Sequence, residues 1–158
     1  MINWYISTEV ISQLCTFTIQ FFYMDIVLKA QLNLLIHLAM VDGEVSDQER
    51  QMITQIAEKN NFDSFDLETM FRYPKPMESF GALSNDAKFD YLYQVVRLMN
   101  IDDDMDKREL LFCQDMAMRL GYRKEVIDEL WEALVNDSEL QMDREALKTK
   151  VQRYNPFI

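Results

Sequence analysis

The side chains best suited to chemistry fall in two short acidic runs. Asp42, Glu44 and Ser46 alternate ahead of Glu49, and Asp102, Asp104 and Asp106 alternate ahead of Glu109. Oxygen-bearing residues at alternate positions are how the first three ligands of a calcium loop begin. The remainder of an EF-hand is missing. Its sixth position requires Gly and its twelfth Glu, whereas one run has Asp47 and Ile53 there and the other Lys107 and Cys113. A looser site stays open, in which Asp42, Glu49, Asp102 and Glu109, with Glu44 and Asp104 beside them, are gathered by a two-fold arrangement of the runs. Hard oxygen donors of that kind favour calcium, magnesium or manganese. The competing explanation is local. Ser46 with Glu49 spells a capping box, and Asp106 with Glu109 a close analogue, in which each side chain satisfies an orphan amide at a helix start. That accounts for the two glutamates. Asp42 and Asp102 are not needed as caps and are the stronger candidates for function.

Catalytic constellations are absent from the pattern. The single histidine, His37, has no Glu three residues before it, so a di-iron or di-manganese carboxylate centre built on Glu-x-x-His pairs is not indicated. A Ser or Cys nucleophile would also have to borrow His37 as its base. Cys113 falls on an inward helical face as a small core residue. No glycine-rich phosphate loop is present. The expectation is a non-enzymatic protein with no catalytic residues and no cofactor beyond a divalent cation.

The two runs sit at corresponding places in a longer internal repeat. Residues 31–71 align with 91–131 without a gap. Val41 meets Ile101, Val45 meets Met105, Ile56 meets Met116 and Ala57 meets Ala117. Asn61 then meets Gly121, Phe62 meets Tyr122, Leu67 meets Ile127 and Phe71 meets Trp131. Core size and caps agree along the whole length, the signature of a duplicated supersecondary unit. Each unit reads as three helices. In the first, a helix from Asp25 to Val41 carries a narrow polar stripe of Lys29, Asn33 and His37 on an otherwise apolar cylinder. Gly43 suits a helix C-cap, and Asp103 in the second copy tolerates the same left-handed turn. A second helix follows from about Asp47 to Asn60, and a short third one carries Leu67, Met70 and Phe71. The prolines of Tyr73-Pro74-Lys75-Pro76 open a connection over residues 72–85, because each disfavours helix in the residue before it. In the second copy Met105 and Leu110 can form a hydrophobic staple. A last amphipathic helix over about 139–154 presents Leu140, Leu147, Val151 and Tyr154.

Composition agrees with this architecture. A chain of 158 residues is one ordinary domain, able to bury roughly 68 to 70% of its unfolded surface. Three Gly and three Pro are too few for the turns of a sandwich or barrel. The fold class is therefore all-α, a single helical bundle of two pseudo-repeated three-helix halves with a C-terminal helix. A net charge of −11 excludes nucleic acid as a natural partner, since affinity for phosphate backbones rests on Lys and Arg. Cys15 and Cys113 make no disulfide framework and no Cys-x-x-Cys pair, which fits a reducing, cytoplasmic setting.

Residues 1–23 differ in character. Trp4, Tyr5, Phe17, Phe21, Phe22 and Tyr23 crowd into a segment whose one charged side chain is Glu9. It lacks the basic start of a signal peptide and is too often interrupted by polar residues for a membrane span. Three readings stay open: packing on the bundle, peripheral contact with a membrane, or residues upstream of a start at Met24.

The doublet of "LAMVDGEVSDQE" with "IAEKNNF" and "LMNIDDDMDKRE" with "MAMRLGY" resembles the TerB-like superfamily. That all-helical domain is named for tellurite resistance and is also found at the N-terminus of a membrane-anchored co-chaperone. The likeness covers about residues 24–135. Met40 and Asn100 stand where the family has a small residue before the Asp, and Asp103 stands where it has Gly. The resemblance implies an interaction or adaptor domain in stress-response or membrane-associated systems, with acidic loop residues suspected of binding metal. The partner it implies is a protein. A homodimer and a peripheral membrane contact both fit, and Met-rich helix faces can line a groove for a partner helix.

Overall fold

The computed structural model describes residues 8–77, 79–101, 106–136 and 144–156, and within these the side chains of residues 23–135 and 144–156. Every regular element among them is a helix. In chain order they are α1 (Thr8–Ala39), α2 (Asp47–Lys59), α3 (Ser64–Arg72), α4 (Asn85–Met99), α5 (Lys107–Arg119), α6 (Val126–Asn136) and α7 (Arg144–Gln152). No helix among the described residues is long and apolar enough to cross a membrane.

Two central helices carry the bundle. α1 packs on α2, α3, α4 and α5, and α4 packs in turn on α5 and α6. Leu32, Leu34, Leu35, Ile36, Leu38 and Ala39 of α1 are sealed from solvent, as are Phe89, Tyr91, Leu92, Val95, Val96, Leu98 and Met99 of α4. Each fully buried large side chain contributes about 1.5–3 kcal/mol relative to exposure, so this pair supplies much of the driving force for folding. The Tyr91 hydroxyl donates to the Val27 carbonyl of α1, and its ring meets Phe80 edge-on with centroids 5.9 Å apart.

α1 starts earlier than the sequence pattern indicates. The pattern begins the helix at Asp25 and sets a boundary after residue 23, whereas the backbone is helical from Thr8 straight through it. The reason is that the chain has no Gly or Pro before Gly43, so nothing interrupts a helix once it has started. What changes near Met24 is polarity, and that governs burial rather than backbone conformation. Residues 1–7, with Trp4 and Tyr5, lie outside the described residues.

The turns recur at a spacing of 60 residues. α2 ends with Phe62 N–H donating to Ala57 O at 2.9 Å and Asn61 N–H to Glu58 O at 3.0 Å. α5 ends with Tyr122 N–H donating to Ala117 O at 2.9 Å and Gly121 N–H to Met118 O at 3.0 Å. Both pairs make a Schellman cap, which needs a left-handed residue after the cap. Asn61 has φ 55° and Gly121 φ 89°. The helices before the acidic runs also end alike. Met40 N–H donates to Ile36 O and Asn100 N–H to Val96 O, both at 3.1 Å, and Val41 and Ile101 reach Leu38 and Leu98. Gly43 has the positive φ, 105°, that glycine tolerates, but α1 ends at Ala39, so it shapes the loop beyond the helix and does not form the C-cap that the sequence pattern assigns it.

The C-terminal helix ends at Gln152, two residues before the end of the pattern 139–154. α7 spans Arg144–Gln152, and residues 137–143, including Leu140, lie outside the described set. Leu147 and Val151 are buried beneath it. The Glu129 carboxylate of α6 accepts from Lys150, from Arg153 and from the Tyr154 hydroxyl. Arg123 N–H donates to Tyr154 O at 2.8 Å. Lys150 first, then Tyr154 and Arg153, hold the Glu129 carboxyl below its ordinary pKa, against the opposing effect of its burial.

Candidate functional site

The acidic runs lie at the ends of α1 and α4, and Arg108 joins them. Its Nη1 donates to the Asp42 carbonyl at 3.3 Å, while its Nε pairs with Asp106 Oδ1 at 3.2 Å. That hydrogen bond, then one from the Arg108 backbone, holds the Asp106 carboxyl below its ordinary pKa. The sequence reading overlooked Arg108, because nothing in a single run reveals that it reaches the other.

Both capping boxes form. Ser46 N–H donates to Glu49 Oε2 at 2.8 Å and Glu49 N–H to Ser46 Oγ at 3.2 Å. Asp106 N–H donates to Glu109 Oε2 at 3.4 Å, and Asp106 accepts from Arg108 N–H at 2.6 Å. Glu49 is buried. Glu109 is half-buried, and its pKa is pushed up to about 7, chiefly by desolvation and further by the charges of Glu49, Asp42 and Asp106. Three of the carboxylates singled out from the sequence, Asp42, Glu49 and Glu109, therefore share one neighbourhood. Asp102, Asp103, Asp104 and Met105 lie outside the described residues.

Asp42 also has a local role that the sequence reading did not give it. Its Oδ1 accepts from Glu44 N–H at 3.1 Å, an Asx turn that shapes the loop. Glu44 is exposed. Among the described residues no three His, Cys, Asp or Glu side chains converge as a metal centre does. One oxygen each of Asp42, Glu49 and Glu109 is engaged by backbone N–H, and the Arg108 guanidinium supplies positive charge beside them. The described donors alone therefore do not fit a divalent cation. Cys113 is buried and its thiol pKa is raised, by burial first and by the Glu109 charge second.

A second feature is a cleft of about 370 Å³ between α1, α3 and the connection to α4. Ile26, Ala30, Phe62, Met70, Met77 and Phe80 give it apolar walls, and Lys29, Asn33, Asp66, Thr69 and Lys75 give it polar groups. Apolar walls with a few convergent polar groups, at a volume above about 300 Å³, are typical of binding clefts.

The polar stripe of α1 explains how the cleft is held. Asn33, on that stripe, is nonetheless buried at 8% exposure. Its amide grips Lys75 from both sides, donating to Lys75 O at 2.9 Å and accepting from Lys75 N–H at 3.0 Å. His37 Nε2 donates to the same carbonyl at 2.7 Å. Pro74 and Pro76 lack N–H groups, so Lys75 N–H is the one backbone donor of that tripeptide and Asn33 takes it. The clamp fixes the connection as one wall of the cleft. Lys29, on the same stripe, bonds Asp25 at 2.8 Å with its ammonium 5.9 Å from the Phe62 ring centroid. Its pKa is raised first by the Asp25 hydrogen bond.

The fold and these two features define an all-helical protein with a clamped apolar cleft on one side and an acidic pole bridged by an arginine. No protein-family model, no curated protein and no solved structure matches the chain.

Proposed function

We propose that this chain is a non-enzymatic protein-interaction or adaptor domain of the TerB-like kind, built from two related three-helix halves, whose cleft receives an apolar helix. The observation that carries the reading is the clamped cleft. Its Met70 and Met77 side chains are flexible and polarisable, which suits a groove that repacks around a partner helix. The TerB-like part is supported by the Schellman caps, capping boxes and helix ends that recur 60 residues apart. On that resemblance the setting is cytoplasmic, in a stress response related to tellurite or to the cell envelope.

The test is affinity purification from the native host of three forms: wild type, Met70→Glu, and the double change Asp42→Asn with Asp102→Asn. Each is run with and without a chelator. Partners lost with Met70→Glu alone support the groove; partners retained by it sink the reading. A second reading, cation binding at the acidic pole, is supported by the closeness of Asp42 and Glu49 to Glu109, whose charges add to desolvation in raising the Glu109 pKa and whose repulsion a cation would relieve. It requires oxygens from Asp102 or Asp104 to complete the set. If the amide signals of both runs stay still at millimolar calcium, magnesium or manganese, that second reading is wrong.

A further inference from the structure

The cleft has a filled counterpart elsewhere in the chain. A shift of 60 positions carries Ile26, Lys29 and Ala30 of α1 onto Asp86, Phe89 and Asp90 of α4, and Thr69 and Met70 of α3 onto Glu129 and Leu130 of α6. That is where α7 lies. Arg144 pairs with Asp90 and Lys148 with Asp86, and the Arg144 guanidinium is 5.5 Å from the Phe89 ring centroid. Glu129 takes Lys150 and Arg153. Burial follows this cover. Phe89 is 1% and Leu130 0% exposed, whereas Lys29 and Thr69 are exposed, Met70 is half-buried and Ile26 is 46% exposed. Among the described residues no helix takes the place beside α1 and α3 that α7 takes beside α4 and α6.

The two walls differ in chemistry, and the difference specifies an occupant. Asp86 and Asp90 are answered by Lys148 and Arg144, but Ile26 and Ala30 stand in their places and leave a buried charge without a partner. A helix in the cleft is therefore apolar at those two positions. Arg144, Leu147, Lys148 and Val151 fall at i, i+3, i+4 and i+7, on one helical face, and Leu147 and Val151 are already the buried pair of α7. With the two charges replaced, the face carries the anchor pattern of an amphipathic helix in a groove. Direction follows too. Lys148 meets the earlier Asp86 and Arg144 the later Asp90, so α7 runs antiparallel to α4. A helix laid likewise on α1 begins toward Asn33, at the end where Lys75 is held. Lys75 is exposed and has no ion-pair partner among the described residues, and acidic groups are favoured in a first turn.

We propose that the cleft binds a short helix of another protein, antiparallel to α1, with apolar residues at the places of Arg144, Leu147, Lys148 and Val151 and a carboxylate in its first turn near Lys75. The inference rests on the reading of the cleft as a helix groove and of the chain as two related halves, and it names the groove's partner by its chemistry. The α7 of a second copy fits poorly, because it lays Arg144 and Lys148 on Ala30 and Ile26.

The experiment is titration calorimetry of the full chain with two synthetic peptides of residues 141–154, each held helical by a hydrocarbon staple in place of the exposed Ala146 and Lys150. One is otherwise natural in sequence; the other carries Arg144→Leu and Lys148→Leu. Wild type binds the Leu peptide about tenfold more tightly than the natural one. The double variant Ile26→Asp with Ala30→Asp, which copies the wall of α4, reverses that preference at unchanged circular dichroism. Lys75→Glu raises the Kd of the Leu peptide about fivefold, and an unmoved Kd refutes the antiparallel placement. Equal affinity for the two peptides, or a preference that the double variant does not reverse, overturns the proposal. Should the double variant fail to fold, Ile26→Asp alone decides against a peptide that keeps Lys148, and an unmoved Kd refutes the fit. A wild type that binds neither peptide at millimolar concentration, while Met70→Glu still loses host partners, refutes the α7-like occupant and spares the groove. Self-association that the natural peptide dissolves makes a second copy the occupant and overturns the proposal as well.

Discussion

Replacing Glu109 by Gln separates the two roles that its carboxylate plays at the acidic pole. Gln keeps an acceptor for Asp106 N–H, so the capping box survives. What disappears is a titrating group whose pKa is pushed up to about 7 from 4.5. Below pH 4.5 the carboxyl is protonated whether the chain is folded or not. Between there and about 7 the unfolded chain gives up the proton while the folded one keeps it. Stability attributable to Glu109 is therefore present at low pH, falls through that window and levels off above it. The full shift corresponds to at most about 3 kcal/mol. Near pH 4.5, the isoelectric point, the chain loses the net charge that keeps it in solution, so the usable range starts at about pH 5.5. About 2 kcal/mol of the effect lies above that point, and water reaching a half-buried carboxylate reduces the expectation to about 1 kcal/mol.

The assay is urea unfolding of wild type and Glu109→Gln, followed by tryptophan fluorescence from about pH 5.5 to 8 with a chelator present. The difference between the two forms removes the general effect of net charge, which both share. Relative to wild type, Glu109→Gln should gain about 1 kcal/mol across the range, or roughly 2–4 °C in Tm for a chain of this length. A difference between the two that stays constant with pH would refute the inference that Glu49, Asp42 and desolvation act together on Glu109.

Three further outcomes follow from the same geometry. Asn33→Leu leaves Lys75 N–H without its partner and the Lys75 carbonyl with His37 alone, so it should cost about 1–3 kcal/mol and speed hydrogen exchange at Lys75 N–H; unchanged exchange there would refute the clamp. Gly121→Ala should cost about 1 kcal/mol in thermal unfolding, because its φ of 89° is strained for any side chain although the space around it is open, whereas Asn61→Gly should be neutral or slightly stabilising. Glu129→Gln should loosen α7 by about 1–3 kcal/mol. Since the Glu129 carboxyl is held below its ordinary pKa, its contribution is present above the unfolded pKa and is lost as pH falls through the folded one, which acid unfolding of wild type against the variant will register.

What could be read from the sequence and what could not divide along the range of the interactions. The capping boxes depend on residues within one turn of each other, so Ser46 with Glu49 and Asp106 with Glu109 were legible directly, whereas Asn61 and Gly121 were read only as an aligned pair and not as left-handed turns. The common neighbourhood of Glu49, Glu109 and Asp42 was legible at one remove, because an internal repeat implies equivalent ends. Arg108 was not, since its contact with Asp42 crosses 66 residues of sequence. The cleft was hidden for a stronger reason: no single element contains it, and its third wall is a connection without regular structure. Two signs of it were nonetheless present. Asn33 interrupts a run of residues that otherwise all face a core, and a buried amide must find partners or cost stability. Pro74 and Pro76 bracket Lys75, leaving one extended residue with one free donor. An orphan amide on one element and an orphan donor on another, 42 residues apart, are complementary in the way that bases in a pair are. A polar residue out of place on an apolar helix is thus evidence about a distant loop, and here it locates the cleft on which the functional proposal rests.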